Sequence, residues 1–391
     1  MLRITELKLG LEQAISRDKE ISALKKAVLG LLRIPESELE SLKIQRKAID
    51  ARKKDKLHFV YSVDVLVKNE NDILDKGIRS VGPAKEWRYE LPKPGINPLE
   101  GSPVVVGFGP AGIFAALVLS RAGFRPIVLE RGPDVEKRTA NVREFFQTGI
   151  LNENGNILFG EGGAGTFSDG KLTTQINDER CQFILNEFVS AGAPEEILYL
   201  NKPHVGTDIL KNVIRKIREH LIDLGATIMF GAKVTDLVIE DGRIKGVVVN
   251  DSKEIKTSLC LLAIGHSARD TFEMLLRKGI ALEQKPFSVG VRIEHLQEMV
   301  NQAQYGNYAS HPALGAADYK LSHHASNGRT AYTFCMCPGG YVVSSASEPG
   351  MLATNGMSES KRDGKNANSA LLVNVDPADF SSDQPLSGIE F

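Results

Sequence analysis

This sequence of 391 residues contains few cysteines, no long apolar run and no marked excess of positive or negative charge. Its four cysteines include no C-x-x-C pair and are too few for a disulfide scaffold, so we expect a cytoplasmic protein. Because 48 basic residues balance 49 acidic ones, no overall field attracts nucleic acid or anionic membranes. No apolar run reaches the roughly 20 residues of a membrane-spanning helix, and the alternating first residues do not resemble a signal peptide.

The stretch 102–131 has the pattern of one complete strand–helix–strand unit. A β-branched run at 104–106 predicts a strand buried on both faces. The alanine- and leucine-rich segment 111–122 predicts a helix that ends before a glycine, and 127–129 predicts a second buried strand. We therefore take this unit as the centre of the fold.

The turn inside this unit has the spacing of a dinucleotide-binding fingerprint. Gly107 allows the tight turn, Gly109 allows a pyrophosphate to approach the backbone, and Gly112 allows close packing of helix and strand. The helix N-terminus adds free N–H groups and partial positive charge. Glu130 ends the second strand, 23 residues after Gly107, where a carboxylate can accept hydrogen bonds from an adenosine ribose. The sequence predicts a dinucleotide site here.

A second glycine-rich segment, G-E-G-G-A-G-T-F-S-D-G-K-L at 160–172, repeats the fingerprint spacing but predicts a loop. The polar residues that follow its glycines cannot begin an apolar helix. Bare backbone beside Thr166, Ser168 and Lys171 suits a phosphate or the edge of a flavin ring. A flexible surface loop is the alternative; we favour binding, because long loops in compact domains are usually functional unless disordered.

The N-terminal residues 1–68 predict a small α+β module, in which a helix covers one face of an alternating strand. Its basic run from Arg46 to Lys56 is a candidate RNA contact. Since the run lacks interleaved aromatic residues and contains acidic ones, we favour a solvated hairpin. Several prolines mark 69–101 as a stiff linker, which we expect Trp87 to anchor to a core.

Two later segments indicate that the nucleotide-binding sheet is discontinuous in sequence. Residues 234–249 predict a hairpin that turns at Asp241-Gly242, and 259–266 predict a fully buried strand. A buried strand after a hairpin suggests that the chain returns to the first sheet.

A second sheet is expected between Phe287 and about Val375. Its strand 332–336 places Cys335 and Cys337 on one face, two residues apart. A redox pair is one interpretation, but neighbouring positions on one strand face suit a disulfide poorly, so we favour buried packing residues.

The histidines do not indicate a metal or a catalytic base. They are scattered without metal-ligand spacing, so we predict no metal. His204 could face a substrate, although a structural histidine is the favoured interpretation. No side chain stands out as a general base, and the catalytic residues stay unassigned.

Several motifs together resemble the uncharacterised FAD-dependent dehydrogenases of bacteria and plastids. They are G-F-G-P-A-G at 107–112, the loop at 160–172, L-L-A-I-G-H-S-A at 261–268, C-P-G-G at 337–340 and N-G-M-S at 355–358. The resemblance covers nearly the whole chain, and the family is similar to glutathione-reductase-type flavoproteins.

The resemblance implies FAD as the cofactor and a set of binding residues. The pyrophosphate would lie at Gly107, Gly109, Pro110, Ala111 and Gly112, and the adenosine ribose at Glu130 with Arg131 beside it. The loop would follow the pyrophosphate and flavin with Gly162, Gly163, Gly165, Thr166, Ser168 and Lys171. The backbone of Val234 would pass the adenine, and Ala263 with Gly265 would close over the adenosine half.

One feature of such flavoproteins is missing. They carry a late Gly-Asp pair that opens a helix against the ribityl phosphate, and this sequence contains no Gly-Asp dipeptide. We therefore expect a truncated chain that lacks its final flavin-binding segment, and its FAD retention has to be measured.

These observations predict an α/β protein with a module at 1–68, a linker at 69–101, a discontinuous Rossmann-like FAD-binding domain at 102–285 and a mostly β substrate domain at 286–391. The predicted function is that of an FAD-dependent oxidoreductase, a dehydrogenase that takes hydride from an unidentified small molecule or from transiently docked NAD(P)H. We expect neither a nucleic-acid nor a membrane partner, and the oligomeric state is unassigned.

Two alternatives stay open. An NAD(P)-binding dehydrogenase would share the fingerprint but would continue as βαβαβ, whereas this chain leaves for a glycine loop and a hairpin. A flavin-binding, RNA-associated protein without catalysis would rely on the basic run.

Overall fold

The computed structural model describes residues 1–85, 89–174, 176 and 178–391. Trp87 lies outside these residues, so its role as a linker anchor stays a prediction. Short 3-10 helices occur at Leu11–Ala14, Glu36–Glu38, Gly163–Phe167, Glu195–Leu198, Gly306–Tyr308 and Pro377–Asp379. In the part of the chain that is described, no helix has both the length and the apolar character needed to cross a bilayer.

The N-terminal part of the chain forms a four-stranded antiparallel sheet in the order β2-β3-β1-β4. Inward side chains of β1 and β3 pack against Leu24, Val28 and Leu32 of α1. Residues 70–83, expected in the linker, instead form α2 and β4, since Ile73 is buried in the same core. The elements are β1 (Leu2–Gly10), α1 (Arg17–Leu32), β2 (Leu39–Asp50), β3 (His58–Val67), α2 (Glu70–Asp75) and β4 (Val81–Pro83).

The basic run lies on β2 and in the turn before β3, so the predicted hairpin is confirmed. Several of its cations have polar partners within the protein. Lys47 Nζ lies 2.5 Å from Glu20 Oε1, and Arg52 Nη2 lies 2.5 Å from Asp50 Oδ2. Pairing of this kind reduces the positive charge available to a phosphate backbone.

A parallel sheet in the order β11-β5-β6-β7 forms the centre of the molecule. Helices α3 and α6 cover one face through Ile113, Leu117 and Ile217, and a second sheet with α7 covers the other. The elements are β5 (Val104–Val106), α3 (Pro110–Arg121), β6 (Ile127–Glu130), α4 (Val135–Thr148), α5 (Glu179–Ser190), α6 (Thr207–Asp223), β7 (Thr227–Phe230), β8 (Val234–Glu240), β9 (Arg243–Val249), β10 (Lys253–Lys256), β11 (Cys260–Leu262) and α7 (Arg269–Arg277).

The antiparallel sheet β8-β9-β10 is inserted between β7 and β11, which confirms a Rossmann-like α/β fold with a discontinuous sheet. The prediction that the strand near 261 is fully buried is wrong. Leu262 is 40% exposed, because β11 is an edge strand and its end borders a cavity.

The predicted second sheet is present and has the antiparallel order β12-β17-β14-β13, with a β15-β16 hairpin beside it. We call this four-stranded sheet the cap sheet. Its strand β14 is irregular, because the register shifts between Phe334 and Cys337 and Cys335 has a φ of +47°. The elements are β12 (Phe287–Leu296), α8 (Gln297–Tyr305), β13 (Ser322–His324), β14 (Thr330–Cys337), β15 (Tyr341–Ser344), β16 (Thr354–Met357), β17 (Asn366–Val375) and α9 (Ser387–Glu390).

Candidate functional site

A cavity of about 630 Å³ opens where β5 turns into α3, next to the ends of β6 and β11; we call it the strand-end cavity. This volume lies within the range of roughly 300–1,000 Å³ usual for small-molecule and cofactor sites. Ligands of open α/β sheets bind at the carboxyl ends of the parallel strands. The lining comprises Gly107, Gly109, Pro110, Ala111, Glu130, Leu158, Phe159, Gly160, Gly163, Ala164, Gly165, Leu262, Ala263, Ile264, Gly265, His266, Ser267, Phe272 and Leu275.

Two of the fingerprint glycines are required by the packing of the turn. Gly107 has a φ of +98°, and a Cβ there would lie 2.4 Å from the carbonyl oxygen of Ala263. A Cβ on Gly112 would lie 1.9 Å from the carbonyl oxygen of Gly107, so any side chain would push α3 away from β5. These contacts agree with the turn and packing roles predicted for the two glycines.

Gly109 differs from these two because its backbone faces open space. Its φ of −77° and ψ of −175° suit any residue, and a Cβ there would meet only Gly163 Cα, at 3.7 Å, among the described residues. Gly109 caps the twelve-residue helix α3, which begins with Pro110 and has no acidic side chain in its first turn. The positive end of the helix dipole and its first N–H groups therefore face the cavity uncompensated.

Glu130 holds three backbone segments together at the edge of the cavity. Its Oε2 accepts a hydrogen bond of 2.7 Å from Phe108 N, and its Oε1 accepts bonds of 2.8 Å from Gly132 N and 3.0 Å from Gly160 N. An ionised carboxylate has about four lone-pair positions, so three donors leave one on Oε2. Glu130 thus organises the site and keeps one acceptor position.

Arg138 on α4 fixes the loop that forms one wall of the cavity. Its fully buried guanidinium donates to the carbonyl oxygens of Asn156 at 2.8 Å, Ile157 at 2.6 Å and Glu161 at 2.6 Å. Burial lowers the pKa of Arg138 to about 10, and nearby carboxylates oppose this shift. The arginine stays protonated at neutral pH and orders the start of the glycine-rich loop.

A smaller cavity of about 40 Å³ adjoins the strand-end cavity and is lined by Arg131 and Val234, with Glu130 and Phe159 shared between the two. The Arg131 guanidinium lies 4.6 Å from the centre of the Phe159 ring and pairs with Asp270 at 2.8 Å. Since one water takes about 30 Å³ in the liquid, an adenine beside Val234 would require these side chains to move.

Most of the predicted binding residues line these two cavities, but five do not: Gly112, Gly162, Thr166, Ser168 and Lys171. Ser168 stabilises a turn, because its Oγ donates to Gly165 O at 2.7 Å and accepts from Gly170 N at 3.1 Å. Thr166 is fully buried, and Lys171 Nζ pairs with Asp169 Oδ2 at 2.8 Å. A role for these five residues in binding stays a prediction.

Sequence reasoning missed the apolar wall of the cavity. Leu158 and Phe159 precede the glycine-rich loop, while Phe272 and Leu275 lie one turn apart on α7. The helical spacing of the last two, in the helix that follows β11, is a signal that could have found them. His266 and Ser267 also border the cavity.

The described contacts of the histidines bear on the two interpretations of His204. His204 Nε2 lies 2.9 Å from Ser360 O, as a structural histidine would, and its pKa is lowered by burial and by Arg362. Within the described ranges, no three His, Cys, Asp or Glu side chains are grouped in a way that could hold a metal ion.

In a comparison with known protein families, the N-terminal and C-terminal parts of the chain each match a family model. Residues 286–391 match the family described as "FAD-dependent protein, C-terminal domain-like", and residues 1–66 match a domain of unknown function, DUF8436. The chain is also 48% identical, over 379 residues, to an uncharacterised protein of Clostridium beijerinckii. That alignment covers 96% of this chain and 71% of the relative.

Solved structures show only a weak overall likeness. Thermovibrio ammonificans THI4 is similar at 21% identity and a TM-score of 0.32, over 47% of this chain and 66% of that one. L-amino acid deaminase from Proteus vulgaris is similar at 17% identity and a TM-score of 0.30, over 61% of each chain.

Proposed function

The chain belongs to an uncharacterised family of FAD-dependent proteins, and on this premise we propose that it is a flavin-dependent oxidoreductase that holds FAD in the strand-end cavity. The observation that carries the proposal is the bare Gly109 backbone at the start of α3, open to that cavity. The proposed reaction is a dehydrogenation, with hydride taken from a small-molecule substrate or from transiently docked NAD(P)H.

The residues around the strand-end cavity fit an FAD molecule, except that an adenine beside Val234 requires the side chains of Arg131 and Phe159 to move. The cavity has a suitable volume, the helix end carries uncompensated positive charge, and Glu130 keeps an acceptor position. Among the described lining residues none is lysine or arginine, so the phosphates would depend on backbone N–H groups and the helix dipole. This is the arrangement expected of a dinucleotide fingerprint.

Each part of the site has a distinct role in the proposed function. The backbone N–H groups of Gly109, Ala111 and Gly112 bind the pyrophosphate, since Pro110 has none to donate, and Glu130 Oε2 accepts a ribose hydroxyl. Phe159, Phe272 and Leu275 exclude water from the apolar wall. Bound FAD supplies an isoalloxazine ring that accepts or donates hydride, while the protein provides orientation.

Topology does not separate this proposal from an NAD(P)-binding dehydrogenase. We expected such a rival to continue as βαβαβ, and the parallel order β5-β6-β7 is that continuation, with the glycine-rich loop and the helices α4, α5 and α6 between β6 and β7. The expectation that the chain leaves the sheet there is wrong. The preference for FAD therefore depends on the family and has to be tested by binding.

The test is a titration of the protein, freed of bound flavin, with FAD and separately with NADH and NADPH. Gly109→Val places a branched side chain in the space of the pyrophosphate, on a backbone that accepts any residue. We expect FAD affinity to fall about 100-fold, which corresponds to about 3 kcal/mol. Gly30→Val is the matched control, since Gly30 is exposed on α1 and a Cβ there would have no described atom within 4 Å apart from the backbone of its own helix.

Unchanged FAD affinity in Gly109→Val, with the fold intact by circular dichroism, would contradict the proposed site. Loss of NADH binding with no FAD binding in either protein would favour the rival dehydrogenase. If FAD binds, anaerobic bleaching of its visible absorbance with candidate donors tests the dehydrogenation itself.

A further inference from the structure

The irregular end of β14 brings two cysteines together in a way that a regular strand would not. Cys335 has a φ of +47°, which residues other than glycine seldom adopt, and the register with β17 shifts around it. Strained backbone of this kind persists only where surrounding contacts hold it, and it is concentrated at functional sites. The premise behind the packing interpretation, a regular strand face, is therefore wrong.

The bulge places the Cys337 thiol against the backbone of Cys335. Cys337 Sγ lies 3.3 Å from the carbonyl oxygen of Cys335. A hydrogen bond from the Cys337 thiol lowers the pKa of Cys335, against the opposing effect of burial. Cys337 is fully buried, whereas Cys335 is partly exposed. One thiol is thus accessible to a reagent, and its neighbour is protected.

Cations from two other elements stabilise negative charge at this pair. Lys171 Nζ lies 3.8 Å from Cys337 Sγ, and Arg292 Nη1 lies 3.2 Å from the Cys335 carbonyl oxygen. Lys171 is held by Asp169, whose carboxylate also pairs with Arg362. Both Lys171 and Arg292 contribute to the lowered pKa of Cys335, since a thiolate is favoured beside cations.

The other two cysteines provide an internal contrast. Burial raises the pKa of Cys260 to about 11. Cys181 and Cys260 are both free thiols, and they lie on α5 and β11. Cys260 is expected to react slowly, since burial disfavours its thiolate.

We propose that Cys335 and Cys337 form a redox-active dithiol that undergoes thiol–disulfide exchange, with Cys335 as the attacking thiolate and Cys337 as the resolving thiol. This site lies on the cap sheet and does not depend on FAD in the strand-end cavity. Its substrate class is an accessible disulfide, either of a small molecule or on a protein surface.

The exchange has two balanced steps. The Cys335 thiolate attacks one sulfur of the disulfide, the reagent S–S bond breaks, and one thiolate leaves. Cys337 then attacks the Cys335 sulfur of the mixed disulfide, and the second reagent sulfur leaves with the proton from Cys337. The protein dithiol loses two electrons, and the reagent disulfide gains them as one thiol and one thiolate.

The experiment uses the full chain, reduced and then treated anaerobically with oxidised glutathione. Trypsin should release residues 330–361 as one peptide, because cleavage sites are absent between Arg329 and Lys361. We expect this peptide to lose two hydrogens by mass and to resist later alkylation, while the peptides with Cys181 and Cys260 stay alkylatable. A 330–361 peptide that stays fully reduced would overturn the proposal.

Substitution of the resolving cysteine separates the two roles. Cys337→Ser should trap glutathione on Cys335 as a stable mixed disulfide, whereas Cys335→Ser should trap none. Cys260→Ser is the matched control and should behave as the unsubstituted chain. Equal glutathione adducts in Cys337→Ser and Cys335→Ser would overturn the assignment of roles.

The effect of Lys171 is measured on the reduced protein. At pH 7 we expect iodoacetamide to alkylate Cys335 about tenfold faster than Cys260, reflecting a larger thiolate fraction. Lys171→Gln should shift the pH profile of Cys335 alkylation to higher pH, and Lys171→Arg should restore it. A profile that does not move in Lys171→Gln would remove Lys171 from the site.

Discussion

The two halves of the glycine-rich loop use the same short stretch of chain in opposite ways. Residues 160–165 contribute mainly backbone to the strand-end cavity, whereas in 166–171 the side chains of Asp169 and Lys171 reach Ser358 and Cys337. Each half buries one carboxylate, Glu161 in the first and Asp169 in the second. These two acids show what decides the ionisation of a buried carboxylate here.

Burial acts to raise the pKa of both acids, but the partners that oppose this effect differ. Glu161 Oε2 accepts from Val135 N at 2.7 Å and from Arg218 Nη1 at 2.8 Å, while Oε1 has no partner among the described residues. Burial therefore dominates and raises the pKa of Glu161 to about 7. For Asp169, Arg362 and Lys171 outweigh burial and lower the pKa to about 2.

The opposite shifts give opposite dependences of stability on pH. The pKa of Glu161 rises on folding. Its contribution to the unfolding free energy is therefore complete below about pH 4.5 and is lost as the pH rises through about 7. The pKa of Asp169 falls on folding, so its contribution is present above pH 3.8 and is lost as the pH falls through about 2. The two acids differ in pKa because of the number of cations that contact each carboxylate, more than because of how deeply each is buried.

Asp169→Asn should have the largest effect, because it removes the charge that compensates two buried or half-buried cations. Breaking a buried ion pair on one side costs about 3–5 kcal/mol, and we expect a decrease of this size in the unfolding free energy at pH 7. Chemical denaturation followed by circular dichroism measures it.

Asp208→Asn is the matched control, since Asp208 is exposed and its described hydrogen bonds are to Ser360 and to backbone N–H groups in the first turn of α6, with no ion pair to a cation among the described contacts. We expect it to cost less than about 1.5 kcal/mol. Equal losses of unfolding free energy for the two substitutions would contradict the comparison, because the cations around Asp169 would then add nothing to stability.

Glu161→Gln should have a smaller effect of the opposite sign at high pH. A shift from 4.5 to about 7, at about 1.4 kcal/mol per unit, means that ionised Glu161 destabilises the fold by roughly 3 kcal/mol. The variant should match the unsubstituted protein near pH 4 and become the more stable of the two by pH 8. Unfolding free energies of both proteins across this range measure the difference.

A difference between these proteins that stays constant from pH 4 to pH 8 would contradict the raised pKa. If Glu161→Gln is instead less stable at pH 8, the ion pair with Arg218 outweighs burial. In that case ion pairing would outweigh burial for both Glu161 and Asp169.

The residues around the fingerprint could be predicted because their constraints are local. Gly107 and Gly112 lie within one strand–helix–strand unit, and their turn and packing roles follow from their positions in that unit. The position of Glu130 at the end of β6 could be predicted in the same way, but its bonds to three backbone segments could not, and its role at a ribose stays a prediction. The return of the chain at β11 could also be predicted, since a short apolar run after a hairpin has a clear pattern. The exposure of β11 could not be predicted, because its position at the edge of the sheet depends on the order of the strands.

The contacts of Asp169 and the thiols could not be predicted from spacing. Arg362 is 193 residues from Asp169, and Lys171 is 166 residues from Cys337, so only the tertiary fold brings them together. The bulge at Cys335 also escaped prediction, because a two-residue period assumes a regular strand. Arg138 gave no signal, since its partners are backbone carbonyls.

Ser358→Ala should have the smallest effect and sharpens the comparison within the Asp169 site. The fully buried Ser358 donates its hydroxyl to Asp169 Oδ1, and its removal leaves both cations in place. We expect a loss of about 1 kcal/mol in unfolding free energy at pH 7, the usual value of one hydrogen bond. Ser360→Ala, which removes an exposed hydroxyl bound to Asp208 at 2.7 Å, should cost less. A loss in Ser358→Ala as large as that in Asp169→Asn would mean that the hydroxyl, and not the pair of cations, keeps Asp169 ionised.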